Sequence, residues 1–259
     1  MTEDIQIIDT NSENILKYGV CGYKNIKKPG FPEKFDWIKK NESLGLRIKT
    51  LYSQNDGTQG MIEYLPGEFC YRPVDASGYM FIHCIFVGFK NAYKNKGYAS
   101  LLIEECVKDA KSNNLNGVAV VTREGSFMVG KQLFIKNGFE KVDEALPDFE
   151  LYVKKLNKEA KNPKFNDLSK NLTKYSDGLT IIRANQCPYS IKNVSEIVET
   201  AKKDFGITPT VINLESYKDA QENPCAFGTF CIIYNGEIVS YHPISNTRFV
   251  NIMNKIIKK

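Results

Sequence analysis

The sequence predicts an α/β (α+β) protein in which a larger domain precedes a smaller one. Residues Tyr79–Val87 are almost continuously apolar and aromatic, as is typical of a strand buried on both faces, and Tyr98–Ser112 follow with apolar residues at helical spacing. The lysine- and asparagine-rich stretch 157–177 lacks such periodicity and is predicted to be a linker. The predicted domains are therefore residues 1–156 and 178–259.

The first domain is predicted to combine a sheet with two helices. Its strands are predicted at Ile5–Ile8, Leu46–Leu51, Met61–Leu65, Tyr79–Val87, Val118–Val121, Glu140–Val142 and Glu150–Val153. One helix is predicted over Tyr98–Ser112. A second is predicted to begin at Ser126, a residue type that caps helices, and to end at Asn137-Gly138, where left-handed backbone is tolerated.

The second domain alternates strands and helices in a βαβ-then-ββα order, which predicts a small sheet flanked by helices. Strands are predicted at Leu179–Arg183, Thr210–Asn213, Thr229–Tyr234 and Glu237–Tyr241, and helices at Pro188–Asp204, Ser216–Gln221 and from Asn246 to about Ile257. The last two strands flank Asn235-Gly236, which is a strong signal for a tight hairpin turn.

Composition excludes several classes of function. No apolar run approaches the roughly 18 to 20 residues of a membrane span, and the acidic N-terminus lacks a signal-peptide layout, so a cytoplasmic protein without a membrane partner is expected. Seven scattered cysteines predict reduced thiols, and two histidines without ligand spacing predict no metal. The net charge of +5 is concentrated in 154–174, so nucleic acid is not an expected partner.

The segment from Lys94 to Ser100 has the features of an anion-binding helix start. It lies between a buried strand and an amphipathic helix, where free N–H groups and the helix dipole favour negative charge. Gly97 permits unusual backbone, and Lys94 and Lys96 add positive charge. The predicted ligand-binding residues here are Lys94, Asn95, Lys96, Gly97, Tyr98, Ala99 and Ser100.

This segment resembles the pyrophosphate motif of the GNAT superfamily, Gln/Arg-x-x-Gly-x-Gly/Ala, at Gly97 and Ala99, with Lys94 at the first position. Residues 133–142 resemble the closing segment of the same family. The resemblance implies a GNAT fold with a central mixed sheet over residues 1–156. It also implies acetyl-CoA as co-substrate in a splay between two strands, held by the backbone of Ile85, Phe86 and Val87, and direct attack of an amine on the thioester.

Catalysis by such an enzyme requires a group that removes a proton and a group that supplies one. His83 on the central strand is the first candidate base, the alternative being a packed structural histidine, and Glu63 is the second candidate base or an anchor for the substrate ammonium. Phe134 occupies the position where the family often has a tyrosine acid. Tyr79, Tyr152 or water would then supply the proton.

Two other residues close to these candidates in the sequence are Cys84 and Arg72. Cys84 follows His83 directly, and adjacent strand residues point to opposite faces, so no Cys–His pair is expected. Arg72, together with Glu63, is a candidate for selecting the acceptor.

Residues 178–259 resemble a thioredoxin-type domain. Cys187-Pro188-Tyr189-Ser190 precedes a helix, where a thiolate is stabilised, and residues 227–237 resemble the strand and hairpin that follow the cis-proline of thioredoxins. Ser190 stands where the resolving cysteine would be, and Gly228 where the cis-proline would be. Cys187 is thus a candidate single functional thiol. Cys225, near Gly228 in sequence, is a candidate partner thiol.

The order of the two domains resembles the YoaP-type acetyltransferases. The function predicted is an acetyl-CoA-dependent N-acetyltransferase acting on a small-molecule or peptide amine. Two alternatives stay open: a non-catalytic acyl-CoA-binding sensor, and a thiol-dependent enzyme that uses Cys187. The oligomeric state is also open, with a homodimer as one option.

Overall fold

A computed structural model describes residues 4–23 and 25–257, which form two compact units. One unit comprises the described residues through Cys70 together with Val74–Phe165, and the other comprises Tyr71–Pro73 together with the described residues from Asn166 onward. The division into domains at 156 and 178 stays a prediction. The absence of a signal peptide was predicted from the acidic N-terminus. The first three residues of that segment lie outside the described range.

The first unit is a seven-stranded mixed sheet with helices, as the fold class predicts. Its strands are β1 Ile5–Thr10, β2 Arg47–Ser53, β3 Gly57–Pro66, β4 Val74–Asp75, β5 Met80–Val87, β6 Gly117–Thr122, β7 Glu140–Ala145, β8 Phe149–Lys155 and β9 Lys164–Phe165. Its helices are α1 Ile15–Tyr18, α2 Phe31–Glu42, α3 Tyr98–Ser112 and α4 Gln132–Lys136. The sheet order is β1-β2-β3-β5-β6-β8-β7, and β4 pairs separately with β9. Only β5 and β6 of the large sheet run parallel.

Helix α2 is absent from the sequence-based prediction, and its buried face explains why. That face consists of Phe31, Lys34, Trp37, Ile38 and Asn41. Two of these five residues are polar, so the stripe lacks the apolar periodicity by which amphipathic helices are recognised. A lysine on the inner face requires a buried partner.

The helix predicted to begin at Ser126 begins at Gln132 instead. Phe127 has a φ of 68°, a left-handed conformation that no helix continues, so residues 126–131 form a loop. The predicted end is confirmed, because Asn137 caps α4 and Gly138 has a φ of 80°.

Strand β5 has two irregularities that shape the centre of this unit. It pairs with β6 only at Met80, Phe81 and Ile82, so the two strands separate beyond Ile82. It also carries a bulge against β3, where Glu63 faces Cys84 and the next residue, Tyr64, faces Ile82. His83 is therefore the extra residue of the bulge.

One face of this sheet packs on α3. The core there includes Ile82 and Ile85 from β5 and Leu102, Cys106 and Ala110 from α3. Helix α3 has the predicted bounds, and these helix residues are buried at four-residue spacing.

The second unit has the predicted βαβ-then-ββα order. Its elements are α5 Leu168–Leu172, β10 Leu179–Ala184, α6 Tyr189–Phe205, β11 Thr210–Leu214, α7 Tyr217–Gln221, β12 Phe230–Tyr234, β13 Glu237–Ser240 and α8 Asn246–Ile257. The sheet order is β11-β10-β12-β13, with β10 and β11 parallel and the other pairs antiparallel. The predicted linker is partly regular, since it contains β9 and α5. No helix in the described part of the chain is long and apolar enough to span a bilayer.

Candidate functional site

A large cavity of about 560 Å³ in the first unit lies where the end of β5 meets the start of α3. All ten residues predicted from the sequence to bind the cofactor border it: Ile85, Phe86, Val87, Lys94, Asn95, Lys96, Gly97, Tyr98, Ala99 and Ser100. The structure thus brings the strand end and the helix start together. Their ligand-binding role itself stays a prediction.

The helix start at this cavity is arranged to receive an anion. Gly97, with a φ of 80°, caps α3, and the first helical hydrogen bond runs from Leu101 N to Gly97 O at 3.2 Å. The N–H groups of the first turn therefore have no carbonyl partner within the helix. No protein atom lies within 4 Å of where a Cβ on Gly97 would be, so the space in front of the turn is open. Lys94 and Lys96 border the same space.

Four residues that the sequence analysis did not assign also border the cavity: Tyr93, Val129, Leu133 and Lys136. Leu133 and Lys136 belong to the segment 133–142 that resembles the closing segment of the GNAT superfamily. That resemblance predicted the fold but did not predict that these residues border the cavity. Tyr93 is fixed by its hydroxyl, which bonds to Asp56 Oδ2 at 2.8 Å and to Ser53 Oγ at 3.0 Å. Hydrogen bonds from Lys90 and Tyr93 lower the pKa of the Asp56 carboxyl.

A second, small cavity of about 30 Å³ lies at the separation of β5 and β6. It shares Ile85 and Val129 with the large cavity, and His83, Cys84 and Phe134 also border it. The bulge on β5 therefore places His83 at a small cavity that shares part of its wall with the large one. This is where the family resemblance places the reacting thioester.

Behind His83 lies a fully buried group of charged side chains. Lys34 of α2 donates a hydrogen bond to Glu63 Oε2, and His83 Nδ1 is 3.9 Å from Glu63 Oε1. The side chains of all three are 0% exposed. The Lys34 ammonium also lies 4.2 Å from the centre of the Trp37 ring, an additional favourable contact for a buried cation.

This arrangement changes the role predicted for Glu63. A carboxylate that anchors a substrate ammonium has to be reachable and uncompensated, whereas Glu63 is buried and already paired with the Lys34 cation. Glu63 borders neither of the two cavities described above. It is in a position to act on His83, not on a ligand.

The expectation that His83 and Cys84 point to opposite faces is wrong. Cys84 is the cross-strand partner of Glu63, and His83 contacts Glu63, so both side chains lie on the Glu63 face of the sheet. Ile82 and Ile85 on either side of them face α3. The bulge causes this, because its extra residue interrupts the alternation of a regular strand.

Phe134, at the position of the family's proton donor, and the two candidate donors Tyr79 and Tyr152 have different surroundings. Phe134 is buried and stacks edge-on against Phe139 at 5.5 Å. Tyr79 was predicted to be catalytic, but it precedes β5 by one residue and lies roughly 20 Å from Ile85 at strand spacing. Its hydroxyl donates to Lys161 O at 2.8 Å, so Tyr79 is too distant to act at the cavity. Tyr152 is one strand away, opposite Val120 of β6.

Arg72 does not line the cavity. It belongs to the second unit, where its guanidinium lies 5.2 Å from the Phe227 ring centre and donates to Tyr71 O at 3.0 Å and Thr229 Oγ1 at 3.3 Å. It is 4% exposed. A role in acceptor selection is replaced by a structural one within that unit.

Cys187 lies two residues before α6 and is half-buried. Ser190, at the resolving position, is buried and donates from its hydroxyl to Cys187 O at 2.7 Å and Ala184 O at 3.0 Å. Serine here closes the turn before the helix. Cys225, the candidate partner thiol, is buried beside Cys231, and its thiol donates to Tyr241 O at 3.7 Å. Among the described residues, no group of three or more histidine, cysteine or acidic side chains is placed to hold a metal ion.

Comparison with known proteins gave matches for both parts of the chain. The YoaP-like family matches residues 210–251. A Bacillus subtilis (strain 168) protein called uncharacterized N-acetyltransferase YoaP is 28% identical over 253 residues, covering 96% of this chain and 98% of its own.

Solved structures of the following proteins are also similar. An N-acetyltransferase from Staphylococcus aureus Mu50 is 16% identical, with a TM-score of 0.44, over 60% of this chain and 99% of that one. The Thermoplasma acidophilum paia N-acetyltransferase in complex with coenzyme A is 19% identical, with a TM-score of 0.41, over 58% of this chain and 98% of that one. The predicted resemblance to YoaP-type N-acetyltransferases is confirmed by the similarity along nearly the whole chain. The likeness of the second unit to thioredoxins stays a prediction.

Proposed function

We propose that this chain is a GNAT-type acyltransferase that uses acetyl-CoA and transfers the acetyl group by direct attack of an amine on the thioester. The observation that carries this is the single cavity formed by the end of β5 and the start of α3. The acceptor is the amine of a small molecule or a peptide. Acetyl-CoA supplies the activated acyl group, and the chain's own residues bind it and move the protons.

The cavity suits the phosphates of the co-substrate. The first turn of α3 presents N–H groups without helical partners, and Lys94, Lys96 and Lys136 place three cations around the same space. The open volume in front of Gly97 is where a phosphate would approach the backbone. The edge of β5 that β6 leaves unpaired, at Ile85–Val87, offers backbone groups to an extended amide chain.

His83 is the base in this proposal. It borders the small cavity, which shares Ile85 and Val129 with the large one, so the proposed route for the proton of an attacking ammonium to the buried imidazole is through one water in that cavity. Glu63 is the positioning residue: its carboxylate near Nδ1 orients the ring and stabilises the imidazolium that forms. Lys34 compensates the charge of Glu63 while His83 is neutral.

The departing thiolate takes its proton from Tyr152 or from water, because Phe134 has no proton to give. Tyr152 pairs with Val120, which borders the small cavity, and both belong to the core that includes Phe134. A tyrosine hydroxyl is able to donate a proton, which phenylalanine cannot do. Tyr152→Phe separates the two sources: a loss of turnover at unchanged acetyl-CoA affinity assigns the proton to Tyr152.

All seven cysteines are free thiols, which fits the proposed cytoplasmic location, since thiols stay reduced there. The proposed assembly is a homodimer, and sedimentation of the full chain tests this by measuring its mass in solution.

The central experiment offers acetyl-CoA and a panel of small amines and lysine-containing peptides and follows thiol release. Direct attack predicts that thiol release requires an amine and that the protein itself stays unacetylated by mass spectrometry. An acetylated protein that accumulates without amine would contradict direct attack.

Phe134 favours a second candidate function, that of a sensor without catalytic activity, because its side chain cannot supply a proton to the departing thiolate. A non-catalytic acyl-CoA-binding sensor would bind acetyl-CoA in the same cavity without releasing thiol. Tight acetyl-CoA binding in calorimetry with no thiol release across the amine panel would support the sensor and refute the enzyme.

A further inference from the structure

Cys21 occupies an unusual backbone position in the first unit. It lies in a two-residue hairpin turn in which Val20 and Tyr23 exchange backbone hydrogen bonds of 2.9 and 2.8 Å. Both central residues, Cys21 and Gly22, have positive φ, at 50° and 79°. Asparagine and glycine are the usual residues at such a turn, and another residue type costs about 1 kcal/mol there. Cys21 therefore holds a strained backbone conformation in this turn.

The Cys21 thiol is directed at β3 and β5. Its sulfur lies 3.9 Å from Met61 Sδ, and its backbone N–H donates to the same sulfur at 3.3 Å. It also forms a side-chain hydrogen bond with Cys84 of β5. Cys84 is on the same face because the bulge directs it toward Glu63, its cross-strand partner. Two thiols from distant parts of the sequence are thereby in contact.

The surroundings of the pair are polar, not inert. The hydrogen bond to Cys84 and burial raise the pKa of the Cys21 thiol, while the nearby Lys34 ammonium acts in the opposite direction. Both residues are half-buried, and Cys84 borders the small cavity at the strand separation. Unlike the fully buried cysteines of the chain, both residues therefore have part of their surface in contact with solvent.

We propose that Cys21 and Cys84 are a modification site: a dithiol that a small-molecule disulfide oxidises reversibly to an intramolecular disulfide. The bond would join the hairpin turn to β5, one residue before the Ile85–Val87 wall of the large cavity. This inference rests on the position of the two thiols and is independent of the proposed acetyl transfer.

The reaction balances with a disulfide of the type R–S–S–R as oxidant. One protein thiol loses its proton and attacks the reagent, which forms a mixed disulfide and releases one R–S⁻. The second protein thiol loses its proton and attacks the protein sulfur of the mixed disulfide, which releases the other R–S⁻. The two protons end on the two R–SH products, and the two electrons have passed from the protein sulfurs to the reagent. Excess thiol reverses the sequence.

The chain contains its own control pair. The thiols of Cys225 and Cys231 also lie next to each other, but these residues are 1% and 0% exposed. Their two sulfur atoms are neighbours, but neither residue is exposed to solvent. We expect an alkylating reagent to label Cys21 and Cys84 at least about tenfold faster than Cys225 and Cys231, because the latter react only after local opening.

The test incubates the native full chain with oxidised glutathione, blocks the remaining thiols and maps the disulfides by mass spectrometry. The expected result is a Cys21–Cys84 bond that reduced glutathione removes. Cys21→Asn, which suits the turn, and Cys84→Ser should each abolish the bond and leave the remaining thiol as a mixed disulfide with glutathione. Cys187→Ser, which removes another half-buried thiol, should leave the bond unchanged.

Two outcomes overturn the proposal. In the first, Cys21 and Cys84 are both recovered reduced or carry separate glutathione groups in the unsubstituted chain. In the second, a Cys225–Cys231 bond forms as readily in the same sample, which would show that the thiols react through unfolding.

Discussion

Lys34, Glu63 and His83 illustrate how buried charges reorganise a site at the scale of single residues. The sequence identified His83 and Glu63 as candidates because both lie on predicted strands near the motif, but Lys34 lay in an unpredicted helix. Because Lys34 pairs with Glu63, Glu63 is one member of a buried ion pair and not a ligand for the substrate. No strand pattern carries that information, since the partner comes from another element.

Lys34→Met tests the ion pair. Removing one partner leaves an uncompensated buried carboxylate, which costs about 3–5 kcal/mol in the free energy of unfolding. Adding Glu63→Leu removes the orphaned charge and should restore most of that loss. Urea denaturation of the two single variants and the double variant measures this coupling. Additive losses in the double variant would show that the two charges do not depend on each other.

His83→Gln tests the base. The neutral amide cannot accept a proton, so we expect acetyl transfer to fall by about 10²–10⁴-fold at neutral pH, with acetyl-CoA affinity retained. Tyr79→Phe is the control, since its hydroxyl bonds to Lys161 far from the cavity, and should keep full turnover. Equal rates in His83→Gln and the unsubstituted chain would exclude His83.

At the scale of elements, the start of α3 and the end of β5 line the large cavity and form the proposed acetyl-CoA site. Gly97 is required there for its backbone conformation, because a φ of 80° is costly for any residue with a Cβ.

Gly97→Val has a matched control in Gly206→Val. Gly206 ends α6 with a φ of 67°, and like Gly97 it has no atom within 4 Å of a built Cβ. Both substitutions should cost about 1–2 kcal/mol of stability through backbone strain. Only Gly97→Val should weaken acetyl-CoA binding in titration calorimetry. Similar affinities in the two variants would remove the α3 start from the binding site.

A buried hydrogen bond between β3 and α3 predicts that the free energy of unfolding falls as the pH becomes alkaline. Tyr64 of β3 is buried, and its hydroxyl donates to Asp109 of α3 at 2.6 Å. Burial first, and then this hydrogen bond, raise the pKa of Tyr64 well above its ordinary value of about 10.

The folded state therefore binds the Tyr64 proton more tightly than the unfolded state. Its contribution to stability is complete below about pH 10 and is lost as pH rises above that value, by up to about 1.4 kcal/mol per pH unit. In Tyr64→Phe this alkaline loss should shrink, while stability at pH 8 falls by about 1 kcal/mol from the lost hydrogen bond. Urea denaturation at pH 8 and pH 11 measures both effects, and an unchanged alkaline slope would contradict the assignment.

At the scale of the whole molecule, the residues of the proposed acetyl-CoA site come from the first unit alone. We expect saturating acetyl-CoA to slow amide hydrogen exchange at residues 85–100 and 129–136, because bound ligand suppresses local opening there. Residues 179–257 should exchange as before. Protection of equal size in 179–257 would place part of the ligand site in the second unit.

The sequence by itself determined the α/β class, the bounds of α3, the βαβ-then-ββα order and the ten residues that border the large cavity. These follow from short-range chemistry: apolar periodicity, turn residues and a glycine at a helix start act within a few positions of the chain. The tertiary structure alone decided the helix α2, the Lys34–Glu63 pair, the bulge at His83 and the contact of Cys21 with Cys84. Each of these depends on which distant segments pack together, because a buried charge or thiol acquires its chemistry from neighbours that the local sequence does not specify.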